Sequence, residues 1–183
     1  MYQKIFLIFF LFLFVTECSK KEEISSKPAN DKESYKIYTD ALEQMDNGEF
    51  FYAAQRFAEA EKVLPKIEHS AKALIMSSFC YYTINFHEDA ISSLEYFLKK
   101  YPADKNIQYA SYLIALSNYE QILDEKKDLK PLLKTKKIIE DYIDKYPNTD
   151  YSLDLKFKLG LIQNQLAAKE IYIAKYYIQT QKW

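Results

Sequence analysis

Glycine is nearly missing from this chain: two residues in 183, alongside five prolines, two cysteines, two histidines and one tryptophan. Strands joined by tight turns need residues at positive φ, which glycine supplies without a steric cost. So little glycine excludes a turn-rich β-protein and points to an all-α fold. The two histidines, His69 and His87, lie 18 residues apart. No Cys–His cluster, glycine-rich phosphate loop, G-x-S-x-G elbow or H-E-x-x-H motif is present, so neither catalysis nor a resident metal is expected. Acid pairs such as Glu22-Glu23 and Glu140-Asp141 fit solvated faces. The net charge is −1, with acids and bases interspersed and no basic stripe carrying aromatics, so nucleic acid is not an expected partner.

The one long apolar run is at the start. Lys4 precedes Ile5–Val15, eleven residues without a polar side chain. Spanning a bilayer takes about 20 apolar residues. The run therefore reads as the hydrophobic region of an export signal over residues 1–17. It closes on Val15-Thr16-Glu17-Cys18 and turns abruptly polar at Ser19-Lys20-Lys21-Glu22-Glu23. A cysteine in that place resembles the bacterial lipoprotein box, in which the cysteine is acylated, with palmitate among the expected chains, and becomes the first residue. Val15 and Thr16 suit the box. Glu17 departs from it, because Gly, Ala or Ser normally precedes the cysteine; an ordinary signal or a retained signal-anchor is the alternative. No cofactor is expected beyond that covalent lipid on Cys18. The other cysteine, Cys80, sits within a helical pattern and reads as a buried, inert thiol. Residues 18–33 are charged and nearly free of large apolar groups, the composition of a flexible tether.

From Ser34 onward, apolar residues recur at helical spacing, and the pattern repeats. Ala53, Phe57, Ala60 and Pro65 stand at offsets 0, 4, 7 and 12. Ala90, Leu94, Phe97 and Pro102 repeat those offsets, as do Thr135, Ile139, Tyr142 and Pro147. Offsets 0, 4 and 7 share one helix face, and the proline stops the helix. Each such helix has a partner upstream: Ser34–Asp46 before the turn at Gly48, His69–Thr83 before Asn85, and Ile107–Gln121 before a charged loop, Leu123–Leu129. The units run over about 34–66, 69–103 and 107–148, with a partial fourth over 149–183. One antiparallel hairpin cannot bury its apolar face alone, but stacked hairpins can, as a solenoid.

These motifs resemble the tetratricopeptide repeat, which implies a short right-handed solenoid over residues 34–183. The proline-to-proline distances of 37 and 45 exceed that repeat's usual length of about 34 residues. Longer strings are more specific. Tyr109–Tyr119, Lys145–Tyr151 and Leu166–Tyr177, the last with its Leu-Ala-x-x-Glu and Ala-basic-Tyr-Tyr elements, are similar to the BamD family of outer-membrane assembly lipoproteins. That family continues for about two more hairpins, so the fourth hairpin here is expected to lack its second helix and to leave apolar surface open. The resemblance implies a non-enzymatic scaffold of the β-barrel assembly machinery, anchored by lipid on the periplasmic face of the outer membrane. Its implied partners are a barrel component with POTRA domains, accessory assembly lipoproteins, and segments of unfolded outer-membrane proteins that end in an aromatic. Another periplasmic tetratricopeptide lipoprotein, serving cell division or pilus assembly, is the alternative. A membrane-attached enzyme would need clustered titratable residues across two repeats, and none is seen.

The first helices of the hairpins carry matching stripes at offsets 0, 3, 7 and 10: Tyr35, Tyr38, Leu42 and Met45; Lys72, Ile75, Phe79 and Tyr82; Tyr109, Tyr112, Leu116 and Tyr119. Aligned by the repeat, they fall on the face that lines the groove of a tetratricopeptide array. Tyr35, Tyr38, Phe79, Tyr82, Tyr109, Tyr112 and Tyr119 are thus candidates for holding a peptide, because aromatic rings give large contact area at low entropic cost. Packing within the solenoid is the competing account. The anchor is testable by itself: Cys18→Ala should release the mature protein from membranes on fractionation, whereas unchanged attachment would mean a retained signal-anchor.

Overall fold

The computed structural model describes residues 31–122 and 129–181. The export signal, Cys18, most of the tether, the loop at 123–128 and Trp183 lie outside them. Among the described residues there are seven helices: α1 (Asp31–Asp46), α2 (Phe50–Val63), α3 (Ile67–Thr83), α4 (His87–Lys100), α5 (Ile107–Ile122), α6 (Lys130–Lys145) and α7 (Asp150–Thr180). Helix α1 starts within the span read as tether; its first three residues are exposed, with Asp31 and Glu33 placed where acids favour a helix N-terminus. No described helix is long and apolar enough to cross a membrane.

Both short hairpin turns close in the same way. After α1, Gly48 N–H donates to Met45 O at 3.0 Å and Glu49 N–H to Gln44 O at 2.9 Å. After α3, Asn85 N–H donates to Tyr82 O at 3.0 Å and Phe86 N–H to Tyr81 O at 2.9 Å. This is the Schellman pair of bonds, and it requires a left-handed residue. Gly48 adopts φ +81° and Asn85 +62°; asparagine is among the few side chains that tolerate that region. At the opposite edge Pro65, Pro102 and Pro147 each stand two residues beyond the last helical residue of α2, α4 and α6. Thr149 then caps α7, its hydroxyl accepting from Ser152 N–H at 3.1 Å.

The residues at offsets 0, 4 and 7 are the spine of the core. Ala53, Phe57, Ala60, Ala90, Leu94, Phe97 and Ile139 are fully buried, and Thr135 and Tyr142 nearly so. Thr135 replaces alanine in the third copy, and its hydroxyl reaches Asn118 O at 3.4 Å on α5. Each second helix packs on the first helix of its own hairpin and on that of the next, while α3 meets α5 and α5 meets α7 along the inner layer. Alanine and serine mark the close approaches. Ser77 Oγ donates to Ala54 O at 2.8 Å, and Ser78 Oγ to Ser93 Oγ at 2.8 Å. Three clusters form the core: around Phe57, around Leu94 and Phe97, and around Ile139, Leu155 and Ile162.

One carboxylate breaks the apolar pattern. Glu61 of α2 is buried and accepts from Tyr101 Oη at 2.6 Å and Lys100 Nζ at 2.5 Å, both at the end of α4. The hydrogen bond to Glu61 lifts Lys100 above the usual lysine range. Burial, with the same carboxylate, pushes the Tyr101 phenol up to about 12. The link joins the second helices of two neighbouring hairpins. Glu61→Ala would leave a buried phenol without its acceptor, which costs about 1–3 kcal/mol. That corresponds to a melting temperature lower by about 2–4 °C per kcal/mol for a domain of this size. Glu61→Gln keeps an acceptor for Tyr101 and should lose less; calorimetry on both variants checks the order.

Candidate functional site

Helices α1, α3, α5 and α7 are the first helices of successive hairpins, and their shared face carries the aromatic stripes. Six of the seven candidate aromatics are half-buried there: Tyr35, Tyr38, Phe79, Tyr82, Tyr109 and Tyr112. Tyr119 differs from the expectation, since at 8% exposure it belongs to the third core cluster and supports the wall from behind. Tyr38 leans edge-on against Phe57 at 5.4 Å between ring centres, so it is partly a core residue.

The stripes do not form one even surface. Tyr35 at the first end is tied to α3, its hydroxyl 2.6 Å from His69 Nδ1. Between α3 and α5 opens a cleft of about 710 Å³, with Ile75, Met76 and Tyr109 inside and Glu68, Lys72 and Lys105 around it. Three stripe positions, Lys72, Ile75 and Tyr109, therefore share one concavity. Further along, Tyr112 stacks on Tyr151 of α7 at 4.5 Å and 22°, and Tyr109 approaches the same ring at 6.0 Å. Tyr112 also donates to Asp154 at 3.0 Å, and Lys158 pairs with that carboxylate at 2.9 Å while lying over the Tyr119 ring. Tyr82 faces the same region: burial chiefly, then the charges of Glu120 and Asp154, raise its phenol.

Tyr151 and Asp154 were not among the candidates, yet they complete the tyrosine shelf. A signal for Asp154 was available. Lys72 and Tyr109 each stand seven residues beyond a closing proline, and seven residues beyond Pro147 is Asp154. The remaining reactive groups lie elsewhere. Burial pushes the Cys80 thiol up to about 11, which keeps it protonated and unreactive. His87 sits against the Tyr82 ring at 5.9 Å. Among the described residues no group of His, Cys, Asp and Glu is placed to hold a metal ion.

Beyond the shelf, α7 continues past Ile162 with its side chains largely in solvent. Ile171, Tyr172, Ile173, Tyr176, Tyr177 and Ile178 are all exposed, Tyr172 by 73%.

Comparison with known proteins bears on the whole assembly. A family model described as outer membrane lipoprotein, YfiO, matches residues 30–183. The outer membrane protein assembly factor BamD of Caulobacter vibrioides is 28% identical over 165 residues, covering 90% of this chain and 54% of the relative. The protein of the same name from Rickettsia prowazekii is 32% identical over 143 residues, covering 78% of this chain and 57% of the relative. The chain thus spans a little over half the length of these relatives. Among solved structures, the C-terminal TPR-containing domain of an FK506-binding protein from Plasmodium falciparum superposes with a TM-score of 0.52 at 19% identity. That match covers 77% of this chain and 95% of that domain, and it supports the fold alone.

The tyrosines give the site a pH signature. Tyr82, Tyr101, Tyr109, Tyr112, Tyr119 and Tyr142 all have raised phenols, with burial the first cause for each. A native value above the unfolded one means stability fully present below the unfolded value of about 10 and lost as pH rises through the native values. Helicity should hold through neutral and mildly alkaline pH and fall above pH of about 10. The tyrosinate absorbance contributed by these six phenols, isolated by difference against Tyr→Phe variants, should rise together with unfolding, not before it, and circular dichroism followed alongside absorbance checks this.

Proposed function

Because the chain belongs to the outer membrane lipoprotein family YfiO, we propose that it is a lipid-anchored scaffold of β-barrel assembly at the periplasmic face of the outer membrane. It assists the assembly and insertion of outer-membrane β-barrel proteins by non-covalent contact, with no bond chemistry. The observation that carries this reading is the family match over residues 30–183, joined to a tyrosine-lined inner face on the same helices. The relatives are named outer membrane protein assembly factors, and that role is taken over here as part of the proposal.

The inner face suits an extended client segment. The cleft between α3 and α5 offers apolar walls within a charged rim, and the shelf of Tyr109, Tyr112 and Tyr151 offers ring surface for aromatic side chains. Phe79 and Tyr82 lie on the same helix face. An unfolded barrel protein alternates apolar and polar residues along each strand. Such a segment can set its apolar side on the rings and keep its polar side in water. The exposed apolar residues of α7 fit a contact with a folded partner, and the barrel component, through its POTRA domains, and accessory assembly lipoproteins fill that role in this proposal. Cys18 carries the covalent lipid that holds the scaffold at the membrane.

Two measurements test the reading. A detergent pull-down with tagged protein should recover an outer-membrane barrel protein with POTRA domains; cell-division or pilus components in its place would overturn the assignment. Phe79→Ala with Tyr82→Ala should weaken binding of a synthetic strand peptide ending in Phe by about tenfold, the scale of an anchor residue lost from an interface, with helicity unchanged. Unaltered binding in a folded double variant would remove the groove from the mechanism.

A further inference from the structure

A second cluster of aromatics lies away from the inner face, on the edge formed by the hairpin turns. Phe51 and Tyr52 open α2, and Phe86 precedes α4. They are exposed by 40%, 58% and 44%. Phe51 is the centre: it meets Tyr52 edge-on at 5.9 Å and Phe86 edge-on at 5.8 Å. The rings thus gather across two hairpins into one patch instead of scattering singly. None of the three is a repeat-spine residue, and none faces the inner groove candidates. Their contribution to the core is small for the area they present.

The charges nearest them along the chain are of one sign. Glu49 stands immediately before α2, and Asp89 lies in the first turn after Phe86; both are exposed. Acids near helix N-termini are favourable by themselves, but neither carboxylate is neutralised by a neighbour through a described ion pair. No lysine or arginine occurs in residues 46–55 or 84–98. Arg56, the nearest base on α2, is already held by Asp40 at 2.6 Å and Glu59 at 2.5 Å. Exposed aromatics could also suit a membrane interface, but unneutralised acids beside them oppose the anionic lipids that such surfaces meet. Rings and carboxylates together favour a cation instead, since a guanidinium can lie on a ring face while its edge bonds a carboxylate.

We propose that the turn edge at Phe51, Tyr52 and Phe86 is a second docking surface, for an arginine-bearing segment of a partner protein, separate from the inner groove. Arginine is preferred to lysine there because its plane stacks on the rings. The surface is independent of the groove, so a client on the inner face and a partner on the edge can be held at once.

The test is calorimetric titration of the full chain in neutral detergent with a synthetic peptide alternating Arg and Ser, beside Lys–Ser and Glu–Ser versions. The expected order is Arg tighter than Lys, no binding by Glu, and affinity that weakens with added salt. Phe51→Ala with Phe86→Ala should weaken the Arg peptide by about tenfold or more, and Glu49→Gln with Asp89→Asn should do so to a similar degree. These side chains are exposed, so helicity should be unchanged in both pairs. The Phe79→Ala, Tyr82→Ala variant of the groove should bind the Arg peptide as the parent does, so failure of either site is distinguishable from failure of the other. Absence of Arg-peptide binding overturns the proposal, as does binding insensitive to the aromatic pair. Capture by vesicles of anionic lipid that depends on Phe51 and Phe86 would overturn it in favour of a membrane contact.

Discussion

Everything in this structure depends on how closely two helices can approach. A second helix such as α2 must touch α1 on one side and α3 on the other, and it has one narrow strip of surface for each. Ala53, Ala54 and Ala60, fully buried, let the neighbouring backbones come in; Phe57 then fills the space between them. Ser77 is admitted to the same crossing because its hydroxyl finds Ala54 O. Enlarging these residues would separate the helices, and shrinking the phenylalanine would leave a void. The inner face inherits its form from this spacing, since α3 and α5 lie as far apart as α4 between them allows.

That constraint explains what could be read from the sequence. Small, aromatic, small and proline at fixed offsets is a packing pattern written directly in residue types, so the hairpins and their edges were legible. Asn85 was legible as the counterpart of Gly48 because few residues tolerate a left-handed turn. Side-chain depth was harder to read. Tyr119 shares its stripe with Tyr109 and Tyr112, but α6 and α7 close over it, and a helical stripe cannot say which of its members a later helix will cover. Glu61 was invisible for a related reason. Acids on helices are usually solvated, and only the arrival of Lys100 and Tyr101, about 40 positions on in sequence, makes this one a buried acceptor.

The inner face itself is graded along its length. Between α3 and α5 it opens as a cleft with a charged rim; toward α7 it is a shelf of stacked phenols fastened by Asp154 and Lys158. The rings are fixed by one another before any ligand arrives. Tyr112 has its hydroxyl occupied and one ring face covered, so little ordering remains to be done when a segment settles on the exposed side. A face of that kind suits many similar sequences better than one particular sequence.

The carboxylate of Glu61 has a mechanical meaning. In the second and third copies the equivalent residues are Leu98 and Ile143, and an apolar contact allows sliding and rolling with little change in energy. A short, directional bond does not. The joint between the first two hairpins therefore resembles a rivet, and the next one, between α4 and α5, resembles a greased bearing, while the Tyr112–Asp154 bond fastens α5 to α7. Bending and twisting of the solenoid should then concentrate between α4 and α5, leaving the first two hairpins to turn as a single stiff lever.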